Sequence, residues 1–299
     1  MCICVYNLGI SEHSFYGDRM STEHQLLVGL LKKLKDDALV LPTLPEVAMR
    51  VQEVVARKDS SLKQVGDIIG QDAAISARII KVANSALYSR GNKAENISAA
   101  VNRIGLVQIK SITTSVAMEQ LFISTNEMVW EVMDEVWKTS IEVTASSCAM
   151  LEIYNKRNPT KRLDRETLTL AGLVHNIGAL PVLTEAEVHP ELCSKIEQLR
   201  SLVRKMQGPI GRAVLKTWDF APEVMEVVER WADLHYMPER VTYLDFIRSA
   251  AFYTGELRAG EELEERLGVF AQRGLPVTPE DLASDEFLDM YHSIKQSYE

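Results

Sequence analysis

The sequence predicts an all-α protein. Three observations carry this. Apolar residues recur at spacings of three and four along most of the chain, Ser, Thr and Asp stand where such runs begin, and no segment alternates apolar and polar residues as a half-buried strand would. The chain has 299 residues, 46% hydrophobic and 25% charged, which is near the soluble average and enough for a sizeable core.

Residues 1–22 show no periodicity and several turn formers, and read as a loose extension. Leu26, Leu27, Leu30, Leu31 and Leu34 then mark an amphipathic helix. In Leu41-Pro42-Thr43-Leu44-Pro45, Thr43 is placed to cap a helix with Pro45 in its first turn and Val47, Val51, Val54 and Val55 inside. Ser60-Ser61 open a second helix carrying Leu62, Val65, Ile68 and Ile69, and a third is predicted from Ala73 to Leu87. Residues 88–97 have loop composition. Ser98 is the predicted cap of a short helix ended by Gly105.

Residues 107–122 and 127–156 are predicted helices, the second holding Trp130 and Trp137. Beyond them helices alternate with breaks at Pro159, Gly178, Pro181, Pro190, Gly208-Pro209, Pro222, Pro238, Gly260, Gly274 and Pro279. Trp130, Trp137, Trp218 and Trp231 recur on helical faces and read as core; His24, His189 and His292 stand alone and read as exposed.

Charge and cysteine usage bound the function. Net charge is −9, and acids flank the densest basic stretches, Lys32-Lys33-Lys35 and Arg157-Lys161-Arg162, so no nucleic-acid partner is expected. Cys2, Cys4, Cys148 and Cys193 show no paired metal-ligand spacing and no disulfide framework, which points to reduced thiols in a cytoplasmic protein. The first ten residues lack the basic and apolar regions of a signal peptide. Thr167 to Thr184 contains no charged residue but holds His175, Asn176, two glycines and Pro181. It reads as two buried helices meeting at a bend, not a membrane span.

A set of separated motifs occurs in a fixed order. Leu41-Pro-Thr-Leu-Pro45 is followed by Ile68-Ile69-Gly70-Gln71-Asp72, Ala83-Asn84-Ser85-Ala86-Leu87-Tyr88 and Ile104-Gly105-Leu106. Then come Trp137-Lys-Thr-Ser140, Leu170-Ala171-Gly172-Leu173-Val174-His175-Asn176-Ile177-Gly178, and Gly211 seven residues before Trp218. Over residues 24–258 this resembles the HDOD domain family, a bacterial signalling relative of the HD and HD-GYP phosphohydrolases. The resemblance implies an all-helical HDOD fold, with an N-terminal helical bundle (24–125) packed on an HD-like bundle (126–258). Residues 259–299 would add two closing helices. It also implies a regulatory role.

The related HD enzymes bind metal through a His-Asp doublet, whose imidazole and carboxylate hold an ion that activates water. Here the doublet is His175-Asn176, and an amide is a weaker, neutral ligand. Thr139 stands two residues after Trp137, where relatives often have histidine. Met206-Gln207 fills another ligand position, and 232–235 offers only His235. The expectation is a vestigial position at His175 and Asn176, with no metal and no catalytic residue. His175 is then a histidine at a helix bend, its ring bonded to a backbone carbonyl or to Asn176. Asp72 is expected to cap the next helix, and Asn84 and Ser85 to tie its far end to neighbouring backbone; the sharper alternative puts the three in a cleft between the bundles. Trp137, Gln207 and His235 complete the candidate site residues.

The function expected is a non-catalytic signalling protein that binds a protein partner or a small ligand, without nucleic acid or membrane. The alternative is a metal-dependent phosphohydrolase acting on a nucleotide or cyclic dinucleotide with a divalent metal as cofactor. An exposed apolar patch is expected between the bundles or after residue 240.

Overall fold

The computed structural model describes residues 22–85, 88–89, 91–190, 195–258 and 262–298, and among them there is no strand. The extension expected over 1–22 lies outside the described residues up to 21, as do Ala86, Leu87 and Cys193. Thr22 opens α1 (Thr22–Lys35). Helices α2 (Glu46–Ala56), α3 (Leu62–Ile69), α4 (Ala73–Ala83), α5 (Ile97–Ile104) and α6 (Leu106–Glu119) pack on one another and form the N-terminal group.

Local chemistry starts most of these helices. Ser61 closes a capping box with Gln64, and Asp72 Oδ1 accepts from Ile75 N at 2.9 Å. Three starts and ends differ from expectation. Helix α2 begins after an extended Pro45 with no side-chain cap, so Thr43 stays upstream of the helix. Asn96, not Ser98, caps α5; its side chain accepts from Ala99 N, leaving Ser98 inside the helix. Helix α4 stops at Ala83, short of Leu87, because Asn84 turns away to bond the following loop.

Helix α7 (Glu127–Arg157) is the spine: 31 residues, or about 46 Å at 1.5 Å per residue. Around it pack α8 (Arg165–Val174), α9 (Ala179–Val188), α10 (Ile196–Thr217), α12 (Tyr243–Tyr253) and α15 (Asp285–Gln296). Helix α11 (Pro222–Arg230) bridges α8 and α10, α13 (Leu263–Gln272) covers α12, and the single turn α14 (Pro279–Leu282) leads into α15. Ser140, Thr144 and Ser146 of α7 are buried, yet each hydroxyl donates to a carbonyl one turn back, at 2.9, 2.6 and 2.7 Å. Small self-satisfied side chains let neighbouring helices approach closely. Helix α1 docks on α9 and α10, with Lys33 paired to Glu185, although sequence order groups it with the N-terminal helices.

The predicted break at Gly208-Pro209 is absent, since α10 runs through Pro209. Proline there removes one intrahelical bond. The helix survives because it is clamped: a Cβ on Gly178 would fall inside the Gln207 carbonyl, and one on Gly211 would meet Val228 Cγ1 at 2.5 Å. Gly178 and Gly211 are thus the contact points at which the α8–α9 turn, α10 and α11 meet. The uncharged stretch expected to bend does so between α8 and α9. Residues 165–188 are long and apolar enough to cross a membrane, but 83% of the most apolar window is buried inside the fold.

Candidate functional site

His175 ends α8 and Asn176 follows in the turn before α9. Their side chains are buried, His175 completely. His175 Nδ1 lies 2.6 Å from the Gly172 carbonyl, which can only accept, so Nδ1 carries a hydrogen. Nε2 lies 2.9 Å from Glu256 Oε2, and Asn176 Nδ2 donates to Glu256 Oε1 at 2.5 Å. One carboxylate therefore joins both residues of the doublet. The Nε2–Oε2 contact holds one proton between ring and carboxyl, so no uncompensated charge is buried.

Glu256 reaches the pair from beyond α12. Gly255, at φ +80°, turns the chain back, a conformation that costs other residues and not glycine. Trp231 closes the other side, its ring edge-to-face with His175 at 4.9 Å. Arg248 positions that tryptophan. Fully buried, it donates to the carbonyls of Arg230 (2.7 Å), Trp231 (3.2 Å), Tyr236 (2.5 Å) and Asp233. Burial lowers its pKa from the usual arginine value. Asn176 Oδ1 and Trp231 Nε1 are both buried and lack a partner among the described residues.

The other expected positions lie elsewhere. Thr139 donates to the Glu135 carbonyl of its own helix, Met206 is core, and Gln207 is buried with its carbonyl against Gly178. His235 is exposed in the loop after α11. Trp137 is buried against Phe122, whereas Trp130, expected in the core, is 48% exposed because α7 buries the face carrying Val129, Val132 and Met133 and turns Trp130 outward. His24 and His189 are half-buried, not exposed; His189 pairs with Glu185 one turn earlier. Among the described residues no three His, Cys, Asp or Glu side chains converge as a metal cluster.

Asn84 makes a closed local set: Oδ1 accepts from Ala94 N and Arg103 Nη1, both at 2.8 Å, and Nδ2 donates to Ala94 O at 2.9 Å. Ser85 instead faces Ser297 across 3.4 Å.

The HDOD domain description fits residues 41–234, about two thirds of the sequence. The chain belongs to the HDOD domain family. A crystal structure from Shewanella amazonensis SB2B, provisionally named a metal-dependent phosphohydrolase, is 81% identical, covers 94% of this chain and all of its own, and superposes with TM-score 0.88. An HDOD domain protein of unknown function from Geobacter sulfurreducens shares the fold at 18% identity and TM-score 0.61, covering 91% of this chain and 97% of its own. An uncharacterized Treponema pallidum (strain Nichols) protein is 22% identical over 73% of this chain, which spans only 42% of that relative's length.

Glu256, Arg248 and the helices from α12 onward lie beyond the matched HDOD segment. Neither residue was singled out from the sequence. Glu256 meets partners about eighty residues away, and Arg248 meets backbone carbonyls, which carry no sequence signal, so no spacing marks either. The HDOD segment also meets the closing helix α15 at a polar seam. Arg78 Nη2 donates to the Tyr298 carbonyl at 2.9 Å. Beneath it, burial pushes the Tyr88 phenol up to about 12 and the Cys148 thiol up to about 11, keeping both protonated.

Proposed function

We propose that this HDOD protein is a non-catalytic regulator in bacterial signal transduction, cytoplasmic, acting by binding a protein partner or a small ligand. One observation carries the reading: the ring of His175 and the amide of Asn176 are both spent on Glu256. A metal ligand must offer a lone pair to the ion, and water activation needs an open coordination position beside several strong donors. Nδ1 is occupied as a donor and Nε2 faces a carboxylate, while Thr139, Gln207 and His235 supply no converging imidazole. The donor set does not fit the ion implied by the 81% identical protein's name. Net charge −9 argues against a nucleic-acid partner.

The test is metal analysis of protein purified without chelator, followed by assays with added Mn, Fe or Zn on a generic bis-phosphodiester and on cyclic dinucleotides. Substoichiometric metal and no turnover above a heat-killed control is the expected result. Stoichiometric metal or measurable turnover would establish the phosphohydrolase instead.

A further inference from the structure

A second site lies about the junction of α4, α6 and the start of α7. A groove of about 390 Å³ opens there, within the range that holds a small organic ligand. Phe122 and Trp137 form a buried aromatic floor with ring centroids 5.3 Å apart, and Trp130 and Ile123 form exposed walls. Two opposite charges stand in the same space. Arg78 Nη2 and Glu119 Oε2 are 3.5 Å apart, too long for a good hydrogen bond, and both side chains are partly exposed. Such a pair contributes little to the fold, so a ligand's own charges can replace it at small cost. Arg78 is also donor-rich: both its acceptors, Tyr298 O and Glu119, sit at Nη2, and among the described residues none stands against Nε or Nη1. The remaining acid of the groove, Asp134, is held by Lys138 at 2.7 Å.

From this geometry we infer that the groove binds a small aromatic molecule bearing an anionic and a cationic group close together, the chemistry of an aromatic amino acid. The ring is taken by Trp130 above Phe122 and Trp137, the anion by Arg78 and the cation by Glu119. A purely anionic ligand would meet Glu119 and a purely cationic one Arg78; the 3.5 Å spacing asks for both charges on neighbouring atoms. The cavity holds one ring with a short polar arm, which sets the size.

The inference deepens the binding reading above and fails separately from it, because metal content decides that one and ligand titration this one. Calorimetric titration of the full chain would use L-phenylalanine, L-tyrosine and L-tryptophan as probes. 2-Phenylethylamine, 3-phenylpropionate and L-leucine would be the single-charge and non-aromatic controls. One-to-one saturation by at least one aromatic amino acid below about 10 mM is expected, with every control at least tenfold weaker. Trp130→Ala, a change at an exposed position, should weaken binding at least tenfold while leaving the melting temperature in place. Glu119→Gln should weaken the amino acid several-fold and leave 3-phenylpropionate unchanged or tighter. No saturation by any of the three, equal binding of L-leucine, or an unchanged affinity in Trp130→Ala would overturn the inference.

Discussion

Helices α4 and α8 each have an asparagine at or just past the C-terminal end, and the two ends are closed in opposite ways. At the end of α4, Asn84 bonds Ala94, ten residues on, and Arg103, nineteen on, so its helix and the next loop form one local unit. At the end of α8, His175 and Asn176 bond Glu256, about eighty residues away and outside the segment matched to the family. The first closure depends on residues within twenty positions of the asparagine. The second depends on a carboxylate delivered by a turn at Gly255, past the end of α12. A local closure stiffens a motif; a remote one fastens two parts of the molecule.

Removing the remote partner should have the largest effect. Glu256→Ala would leave His175 Nε2 and Asn176 Nδ2 buried and unpaired, each costing about 1–3 kcal/mol, so a loss of about 4 kcal/mol is expected in denaturant unfolding. A loss under about 1 kcal/mol would mean that water replaces the carboxylate and that the two closures do not differ.

Asn176→Asp comes next. It restores the His-Asp doublet but sets a second carboxylate 2.5 Å from Glu256 Oε1, where the amide had donated. Like charges at that distance raise the carboxyl pKa in the folded state. The folded variant then holds its proton more tightly than the unfolded chain. Its stability is therefore best in acid and is lost as pH rises through the folded value. The expected loss at pH 7 is about 3 kcal/mol, without phosphodiesterase activity. Thermal melts at pH 5 and pH 8 check the sign, and a variant more stable at pH 8 would contradict it.

Asn84→Ala tests the local closure. Two backbone groups of Ala94 and one Arg103 donor lose their partner, but that site is only part-buried. Unfolding should show a loss of about 2 kcal/mol, smaller than for Glu256→Ala. The reverse order would break the comparison.

The smallest effect at neutral pH belongs to the seam under α15. Cys148 and Tyr88 are held protonated to about 11 and about 12, above their ordinary values of 9.0 and 10.0. The folded state thus binds more protons in alkali. Stability is fully present below pH 9 and falls as pH rises from there to about 12. Cys148→Ser should shift the onset upward, followed by circular dichroism against pH.

Much of the helical layout was legible because it is local. The leucines of α1, the Ser61 capping box and the Asp72 cap act within a turn or two of their own backbone. Cap choices between adjacent candidates, such as Asn96 and Ser98, are too close to separate locally, and distant contacts override local preference elsewhere. Pro209 stays helical because Gly178 and Gly211 lock α10 between neighbours, and Trp130 is left exposed because α7 buries its other face there, through Val129, Val132 and Met133. In the candidate site, the carbonyl partner expected for His175 proved to be that of Gly172, three residues before it. Glu256 gave no signal, since a single glutamate after a Gly turn looks like any surface acid.

By itself the sequence determined the all-α layout, the caps at Ser61 and Asp72, the family motifs and the amide at position 176, because each is set by side chains a few residues apart. Only the tertiary structure decided that Glu256 closes over His175 and Asn176, that α1 rests on α9 and α10, and that Arg78, Glu119 and Trp130 share one groove. Those meetings depend on helix packing across long stretches of chain. Apolar burial, which drives the packing, is nearly indifferent to which polar residues it brings together.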